Sequence, residues 1–533
     1  MKRPRVTAAA SLVALTLAGV AVFLHAQQTV AGNLWGVPLD DAYIHFRFVR
    51  NLAAGHGFAF NPDHPVPGST SPLWVLLLAL PTLCGVPIWL AAKACGVLFL
   101  AVSALLAWRL AARYIAGPTA AWAVGALTAL DGRLLWAAPS GMEVTLFTTL
   151  SVAAFLSRPL QGAAGPAVRR RLLLVAALCG LATLARPEGY LLAAVLSVDL
   201  YARFRPPLTA LAPPIALYAL LAAPYNVFAL LTTGHPLPTT FYAKSVPLGV
   251  DTLPHALAYL VVLLSLLVGG NVITILAPLG ALALWRSRLP RATPATSVAG
   301  RRHNGTSHGV QDTSARAVVA WPLLLIAEQA LLSPVLYHFG RYVMPLQPFI
   351  LLWVVAAVAR LTRVSTARDG WRAALPPLAL VLMTALALGG WARRYAMSVR
   401  DIDGMQVALG HWTRAHIVAG VPVAAHDIGA IGYISGHPVV DIEGLVTPRF
   451  LALKREQPAS RRAADIDAEI RRLGARYLIV FPRAYQSLVV QPGLRRVYSV
   501  AVQQPTIVQE PVMAVYILTS SCTVSASCSR VVR

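Results

Sequence analysis

The chain has 533 residues, of which 57% are hydrophobic and only 12% are charged, and its formal net charge is +24. A soluble protein is about 25% charged, so this composition excludes an ordinary soluble domain and indicates a polytopic membrane protein. The excess of Lys and Arg does not indicate nucleic-acid binding, because most of these residues fall in short loops between apolar segments, where the positive-inside rule places them.

The first apolar segment follows a basic N-terminus. Residues 6–24 are long enough to span a bilayer, and we predict a retained first helix with its basic end inside, although the pattern also fits a cleavable signal peptide. The first external loop, residues 26–72, follows. Within it we predict a helix lying in the membrane interface over residues 40–54, with His45 and Arg47 facing water or lipid headgroups.

Further apolar segments are predicted to cross the membrane. Residues 72–113 are broken near Gly85, so the second part, 88–108, is predicted to be the crossing. Residues 252–285 are divided again at Gly269. The other predicted spans are 120–130, 144–156, 172–184, 190–201, 208–231, 318–337, 343–359 and 375–390. This pattern predicts a polytopic α-helical protein with about 11 to 13 crossings, and either odd number places the C-terminal tail outside.

Two regions stand apart from the apolar segments. Residues 286–316 are rich in Arg, Ser and Thr without an apolar period, which predicts a disordered cytoplasmic loop within a membrane domain of residues 1–392. Beyond residue 392 the composition changes, and short apolar stretches predict buried strands together with one amphipathic helix. We therefore expect residues 393–533 to form an extracytoplasmic α/β domain. The predicted strands are 421–425, 438–442, 476–481 and 512–518, and the helix is 466–473.

Charged motifs recur at the predicted outer ends of the spans. Interfacial Lys and Arg often only anchor helices. An acid that enters hydrocarbon costs several kcal/mol, so the adjacent Asp40 and Asp41 at the membrane surface indicate a function. In the tail, Asp427, Asp441 and Glu443 border predicted strands, and we predict that they cap turns. The other outer motifs are SGME at 140–143, ARPEGY at 185–190, LPTTFYAK at 237–244 and HFGRY at 338–342.

These motifs contain the groups that sugar transfer from a lipid phosphate requires. The reaction needs a carboxylate that takes a proton from the acceptor, cations that hold the leaving phosphate and an apolar groove for the lipid. The candidate catalytic acids are Asp40, Asp41 and Glu143. The same three carboxylates could instead hold a divalent cation, and the sequence does not separate a base from a metal ligand. The candidate phosphate ligands are Arg186, Lys244, Arg341 and Tyr342, and the candidate sugar or acceptor contacts are His45, Glu188 and Tyr242.

The segment DDAYIHFRFVRNLAAGHGFAFNPDHPVPGSTSPLW, which begins at Asp40, resembles the first external loop of the GT-C membrane glycosyltransferases. It is most similar to the branch that contains the mycobacterial terminal arabinofuranosyltransferases. The motifs SGMEVTLF, LARPEGYLLA, LPTTFYAKS and GRYVMPLQP follow in the order of that branch, and so does the tail stretch HDIGAIGYISGHPVVDIEGLV. The resemblance covers most of the chain except residues 286–316 and the last part of the tail.

The resemblance implies an inverting glycosyltransferase of the cell envelope. Such an enzyme moves a hexose or pentose from a polyprenyl-phosphate donor to a glycan or lipid acceptor on the outer face of the bacterial plasma membrane. It also implies that Asp40 or Asp41 is the base, that Glu143 is the acid of the second loop and that Arg341 contacts the donor phosphate. The motifs do not specify the donor sugar.

Two other classes of function stay open. A multi-span transporter or lipid flippase would carry charges near the bilayer midplane on broken helices, often in two related halves. A non-catalytic membrane assembly protein would tolerate neutralisation of Asp40 and Asp41 without loss of function.

Overall fold

The computed structural model describes residues 3–160, 165–245, 249, 252–286, 315–333, 338–362, 370–456 and 459–519. Nearly all of the loop predicted over residues 286–316 lies outside these residues. The helices that precede the tail sheet are α1 Arg3–Ala31, α2 Asp40–Ala53, α3 Pro72–Leu83, α4 Ile88–Ala111, α5 Pro118–Leu130, α6 Gly132–Ala137, α7 Val144–Ser157, α8 Pro166–Ala185, α9 Gly189–Phe204, α10 Leu208–Thr233, α11 Thr239–Lys244, α12 Thr252–Gly270, α13 Ala277–Arg286, α14 Arg316–Leu332, α15 Gln347–Leu361, α16 Gly370–Leu386, α17 Leu388–Ile402 and α18 Ala408–His416.

The helical part is that of an integral membrane protein. In the part of the chain that the structure describes, six helices are long and apolar enough to cross a membrane, and shorter apolar helices accompany them. The segment 72–113 divides as predicted, since α3 ends at Leu83 and α4 is a crossing helix. The count of about 11 to 13 crossings stays a prediction. The six helices are Arg5–Ala31, Ile88–Ala111, Thr209–Thr233, Thr252–Gly270, Met344–Leu361 and Arg372–His416.

The tail contains the predicted α/β fold. Its five-stranded sheet has the order β2-β1-β3-β5-β4, in which β2, β1 and β3 are parallel and β5 is antiparallel to both β3 and β4. Four strands lie where the sequence predicts them, and β4 was not predicted because it is mostly exposed and has no apolar run. The predicted domain boundary at residue 392 stays a prediction. The elements are β1 Val423–Ala425, α19 Gly429–Ser435, β2 Val439–Asp441, α20 Arg449–Glu456, α21 Ala459–Arg472, β3 Tyr477–Val480, α22 Gln486–Val489, β4 Leu494–Ala501 and β5 Val512–Leu518.

The prediction that His45 and Arg47 of α2 face water or lipid headgroups is wrong. Most of α2 is buried, and it packs between α3 and the tail helix α19. Arg47, which we expected to face water, is 1% exposed, and its guanidinium donates to the main-chain carbonyls of Phe60, Gly432 and His437. The sequence could not indicate this burial, because the partner surface lies nearly 400 residues away along the chain.

The first turn of α2 also holds the tail. The Asp40 carboxylate accepts hydrogen bonds from the main-chain N–H groups of Gly429, at 2.8 Å, and Ala430, at 2.7 Å. These N–H groups begin α19, where the helix has no internal acceptors for them. A Cβ atom on Gly429 would lie 2.0 Å from the main-chain oxygen of Asp40, so the two segments can approach this closely only because residue 429 is glycine.

The acids that border the tail strands do not all cap turns. Asp441 does so, since its carboxylate accepts the N–H groups of Glu443, at 2.8 Å, and Val446, at 2.7 Å. Asp427 and Glu443 instead contact other side chains. For these two residues the capping prediction is replaced by the contacts described below.

We expect Gly429→Ala to destabilise the full chain by about 1–3 kcal/mol, because the added methyl group forces α19 away from α2. Thermal unfolding of the detergent-solubilised protein measures this change. Gly404→Ala is the matched control, since the nearest atom to its new Cβ lies at 3.7 Å. Equal melting temperatures for the two variants would contradict the close packing of α2 against α19.

Candidate active site

A cavity opens where α2, α11, α14 and the segment before α15 meet. It encloses about 840 Å³ not occupied by protein atoms, counting the part open to solvent. Of the site residues predicted from the sequence, all but Asp40 and Tyr242 line it. Apolar side chains complete the wall, including one from the tail. The charged and aromatic lining residues predicted from the sequence are Asp41, His45, Glu143, Arg186, Glu188, Lys244, Arg341 and Tyr342, and the apolar ones include Ile44, Met142, Phe241, Leu332 and Leu445.

Asp41 lies beside two cations at the rim of the cavity. Its Oδ2 is 2.5 Å from Nη2 of Arg341 and 3.7 Å from Nζ of Lys244, and its side chain is 27% exposed. Burial raises the pKa of Asp41, but the charges of Lys244 and Arg341 lower it by more, so the pKa lies well below its usual range. Asp41 is therefore an ionised carboxylate that can be reached from solvent.

Arg341 keeps donor capacity that the described residues do not use. Its side chain is 3% exposed, and Nη2 contacts Asp41 and the Tyr342 hydroxyl, which also accepts from Lys244 at 3.1 Å. Its Nε and Nη1 are buried and have no hydrogen-bond partner among the described residues. Buried N–H groups are rarely left unpaired, so this guanidinium is suited to bind an anion that enters the cavity.

Arg186 is placed differently. Its Nη1 donates to Glu143 at 2.9 Å, while Nε and Nη2 donate to the two carboxylate oxygens of Glu188 at 3.2 and 2.6 Å. Burial lowers the pKa of Arg186, but the two glutamates raise it by more, above its ordinary value. With two carboxylates on one buried guanidinium, this group carries net negative charge. The prediction that Arg186 binds the donor phosphate is therefore less well supported than the same prediction for Arg341.

His45 and Glu143 continue this network across the cavity wall. Nδ1 of His45 lies 3.1 Å from the Ser69 hydroxyl, and Nε2 lies 3.4 Å from Oε2 of Glu143. Burial raises the pKa of Glu143, but the contact with His45 and the charge of Arg186 lower it by more, to about 2. Glu143 is thus a buried, ionised carboxylate that orients His45 and Arg186.

The structure separates the two adjacent acids that the sequence could not distinguish. Asp41 lines the cavity, whereas Asp40 points to the tail helix α19. Burial and the neighbouring charge of Asp427 raise the pKa of Asp40 to about 8, while the N–H groups of α19 oppose that rise. Tyr242 does not line the cavity either, and its ring lies against those of His235 and Phe241.

The three candidate acids do not come together as a cation site. Asp40 is held by main-chain N–H groups, Asp41 by Arg341 and Lys244, and Glu143 by Arg186. Within the ranges that the structure describes, no group of three or more His, Cys, Asp or Glu side chains is placed to hold a metal ion. The alternative in which Asp40, Asp41 and Glu143 share a divalent cation therefore has no geometric support.

Sequence reasoning missed two polar residues of the cavity wall. Glu328 and Gln329 of α14 both line it, and Nε2 of Gln329 donates to Glu328 at 2.9 Å. Oε1 of Gln329 is buried without a hydrogen-bond partner among the described residues. Two polar side chains in succession within the apolar segment LLLIAEQALL were the available signal, because polar groups within membrane helices usually have a function.

The comparisons with known proteins establish the fold. A family model described as a domain of unknown function, DUF8728, matches residues 396–520. No curated protein sequence matches this chain. Among solved structures, ArnT from Cupriavidus metallidurans bound to undecaprenyl phosphate aligns with a TM-score of 0.59 and 14% identity, over 96% of this chain and 98% of ArnT. Its apo form aligns with a TM-score of 0.59 and 13% identity, over 97% and 99% of the two chains.

A third structure, arabinofuranosyltransferase AftD from Mycobacteria, aligns with a TM-score of 0.48 and 17% identity, over 97% of this chain but 42% of AftD. The fold of this chain is that of the GT-C membrane glycosyltransferases, as its likeness to ArnT over nearly the full length of both chains shows. The predicted fold class is thereby confirmed.

We expect the stability that Glu143 contributes to depend on pH. The pKa of Glu143 falls from 4.5 to about 2 in the folded chain. Its ionised form therefore favours folding, and this contribution is complete above pH 4.5 and is lost as the pH falls toward 2. The melting temperatures of the wild type and Glu143→Gln should differ most at about pH 6, and this difference should shrink as the pH falls from about 4.5 toward 2. A difference that stays constant with pH would contradict this assignment.

Proposed function

We propose that this chain is an inverting glycosyltransferase that moves a hexose or pentose from a polyprenyl-phosphate donor to a glycan or lipid acceptor. We place this reaction in the bacterial plasma membrane, on its outer face. The observation that carries the proposal is the group of Asp41, Arg341 and Lys244, in which a reachable carboxylate adjoins a guanidinium whose Nε and Nη1 have no hydrogen-bond partner among the described residues. The donor class is supported by the fold shared with ArnT, whose structure contains undecaprenyl phosphate.

In the proposed reaction, Arg341 and Lys244 bind the phosphate of the donor. Charged donors to its oxygens are Nε and Nη1 of Arg341, which have no partner among the described residues, and the ammonium of Lys244, whose side chain is 31% exposed. These donors stabilise the negative charge that grows on the phosphate as its bond to the sugar breaks. The apolar wall near Phe241 and Leu332 suits the start of the lipid chain.

Asp41 then acts as the general base. It takes the proton of an acceptor hydroxyl while the hydroxyl oxygen bonds to the anomeric carbon, and the polyprenyl phosphate departs with the electron pair of the broken bond. A single displacement of this kind inverts the anomeric centre. Without a donor, Arg341 and Lys244 hold Asp41 in a weakly basic state. A bound phosphate shares these cations, which raises the basicity of Asp41 when the donor is in place.

The two other classes of function fit this group less well. A transporter or flippase could use the cations to bind a lipid phosphate, but it needs no carboxylate beside them. An assembly protein without a ligand would leave Nε and Nη1 of Arg341, which no described residue pairs, buried and unsatisfied, at a cost of about 1–3 kcal/mol each. Both classes predict that Asp41 can be changed without loss of function.

We expect polyprenyl phosphate to co-purify with the full chain and to be at least tenfold depleted in Arg341→Gln, because a charged hydrogen-bond donor to phosphate is worth about 1.5–3 kcal/mol. Lipid mass spectrometry, normalised to bound phospholipid, measures this ratio. Arg109→Gln is the matched control, since Arg109 is an exposed arginine in the last turn of α4. Equal polyprenyl phosphate in the wild type and both variants would contradict the proposed donor site.

We expect Asp41→Asn to lower sugar transfer about 10²- to 10⁴-fold, the usual effect of losing a general base, while retaining bound polyprenyl phosphate. Release of polyprenyl phosphate from polyprenyl-phosphate sugars measures transfer in proteoliposomes that contain envelope glycans and lipids of the source cells. Asp40→Asn is the neighbouring control, and it should retain most of the transfer rate but melt at a lower temperature. If Asp40→Asn lost transfer and Asp41→Asn retained it, the roles of the two acids would be reversed.

A further inference from the structure

A second group of polar side chains lies at one edge of the tail sheet. Because β2, β1 and β3 are parallel, their carboxyl ends meet at the same edge. His426 and Asp427 come directly after β1, Glu443 follows β2, and Tyr485 follows β3. In open α/β sheets, ligands bind at the carboxyl edge of the parallel strands.

Asp427 is fixed in place yet remains accessible. Nε2 of Gln406 donates to its Oδ2 at 2.8 Å, and Nε2 of His426 lies 3.1 Å from its Oδ1. The side chain nevertheless stays 26% exposed. A carboxylate held from two sides has lost its rotational freedom before any ligand arrives, so it can accept a further hydrogen bond at little entropic cost.

The groups around Asp427 are polar and partly aromatic. The His426 side chain is nine-tenths buried, its ring contacts those of Phe481 and Tyr485, and its Nδ1 has no hydrogen-bond partner among the described residues. Burial lowers the pKa of His426 to about 4, so the ring is neutral near pH 7. Glu443, 34% exposed, accepts from the Tyr485 hydroxyl and from Lys454 at 2.5 Å.

This edge adjoins the candidate active site. Gly429, two residues after Asp427, donates its N–H to Asp40, which directly precedes the candidate base Asp41. Leu445, two residues after Glu443, lines the cavity itself. Burial raises the pKa of Asp427 to about 7, and the negative charge of Asp41 contributes to this rise, as expected for two nearby carboxylates.

We propose that the carboxyl edge of β2, β1 and β3 is the acceptor subsite, which binds the hydroxyl groups of a neutral glycan and holds the reacting hydroxyl near Asp41. This inference rests on the proposed function and gives the tail a role in it. Asp427 accepts a hydrogen bond from a glycan hydroxyl, and His426 and Tyr485 border the same ligand. Glu443 is paired with Lys454, but the neighbour of Asp427, His426, is neutral, so the negative charge of Asp427 disfavours phosphorylated or sulfated acceptors and favours an uncharged chain.

The test uses the purified full chain in nanodiscs. The probes are short neutral fragments of arabinan, galactan, mannan and glucan. Their affinities are measured by saturation-transfer NMR titration with undecaprenyl phosphate present. At least one fragment should bind the wild type, and Asp427→Asn should lower the affinity for that fragment tenfold or more. Glu443→Gln is a second variant of the same edge, and we expect it to lower the affinity for the same fragment.

Glu469→Gln is the control. Glu469 pairs with the exposed Arg472 in the last turn of α21, and because α21 leads to the amino end of β3, this pair lies away from the carboxyl edge. It should leave the fragment affinity unchanged, and all three variants should bind undecaprenyl phosphate as the wild type does, which verifies their folding. Failure of every neutral fragment to bind the wild type, or wild-type affinity in both Asp427→Asn and Glu443→Gln, would overturn the subsite. The proposed function is tested separately, because it is contradicted if Arg341→Gln does not weaken the binding of undecaprenyl phosphate.

Discussion

The first turn of α2 carries two carboxylates that are committed to different partners. Successive residues of an α-helix point about 100° apart, so Asp40 and Asp41 necessarily face different neighbours. Asp40 accepts the N–H groups that begin the tail helix α19, while Asp41 pairs with Arg341 and Lys244 at the cavity. The position of the tail and the position of the candidate base are therefore set by the same few backbone atoms, and a shift of one moves the other.

The number of carboxylates around each arginine distinguishes two otherwise similar motifs. Arg186 and Arg341 are both buried, and both lie in short segments between helices, Arg186 between α8 and α9 and Arg341 between α14 and α15. Arg186 is shared by two glutamates, so its site is closed and holds the wall of the cavity together. Arg341 has one carboxylate partner, and its Nε and Nη1 have none within the described part of the chain, so its site is open to an anion. Removing a partner from a closed, buried pair mainly costs stability, whereas changing the open group mainly affects binding.

Hydrophobic periodicity was sufficient to predict most helices and four of the five strands, and the charged motifs were sufficient to predict which side chains gather around one cavity. Three features depended on tertiary contacts that a sequence pattern does not contain. The choice between Asp40 and Asp41 depends on how α2 is rotated against α19. The burial of Arg47 depends on carbonyl groups far along the chain, and β4 is an exposed edge strand whose Arg495 and Arg496 give no apolar alternation.

The contacts between the first loop and the tail have a consequence for how this sequence can vary. Arg47, Arg50 and Asn61 of the first loop, and Thr239 of α11, all donate hydrogen bonds to main-chain carbonyls of the tail. Any residue supplies the same carbonyl, so substitutions at those tail positions preserve docking wherever the local backbone is preserved. At these hydrogen bonds the requirement for particular residues falls on the donor side, whereas the tail requires glycine at residue 429. A tail attached in this way can change its surface, and with it the ligands it contacts, without losing its place beside the cavity.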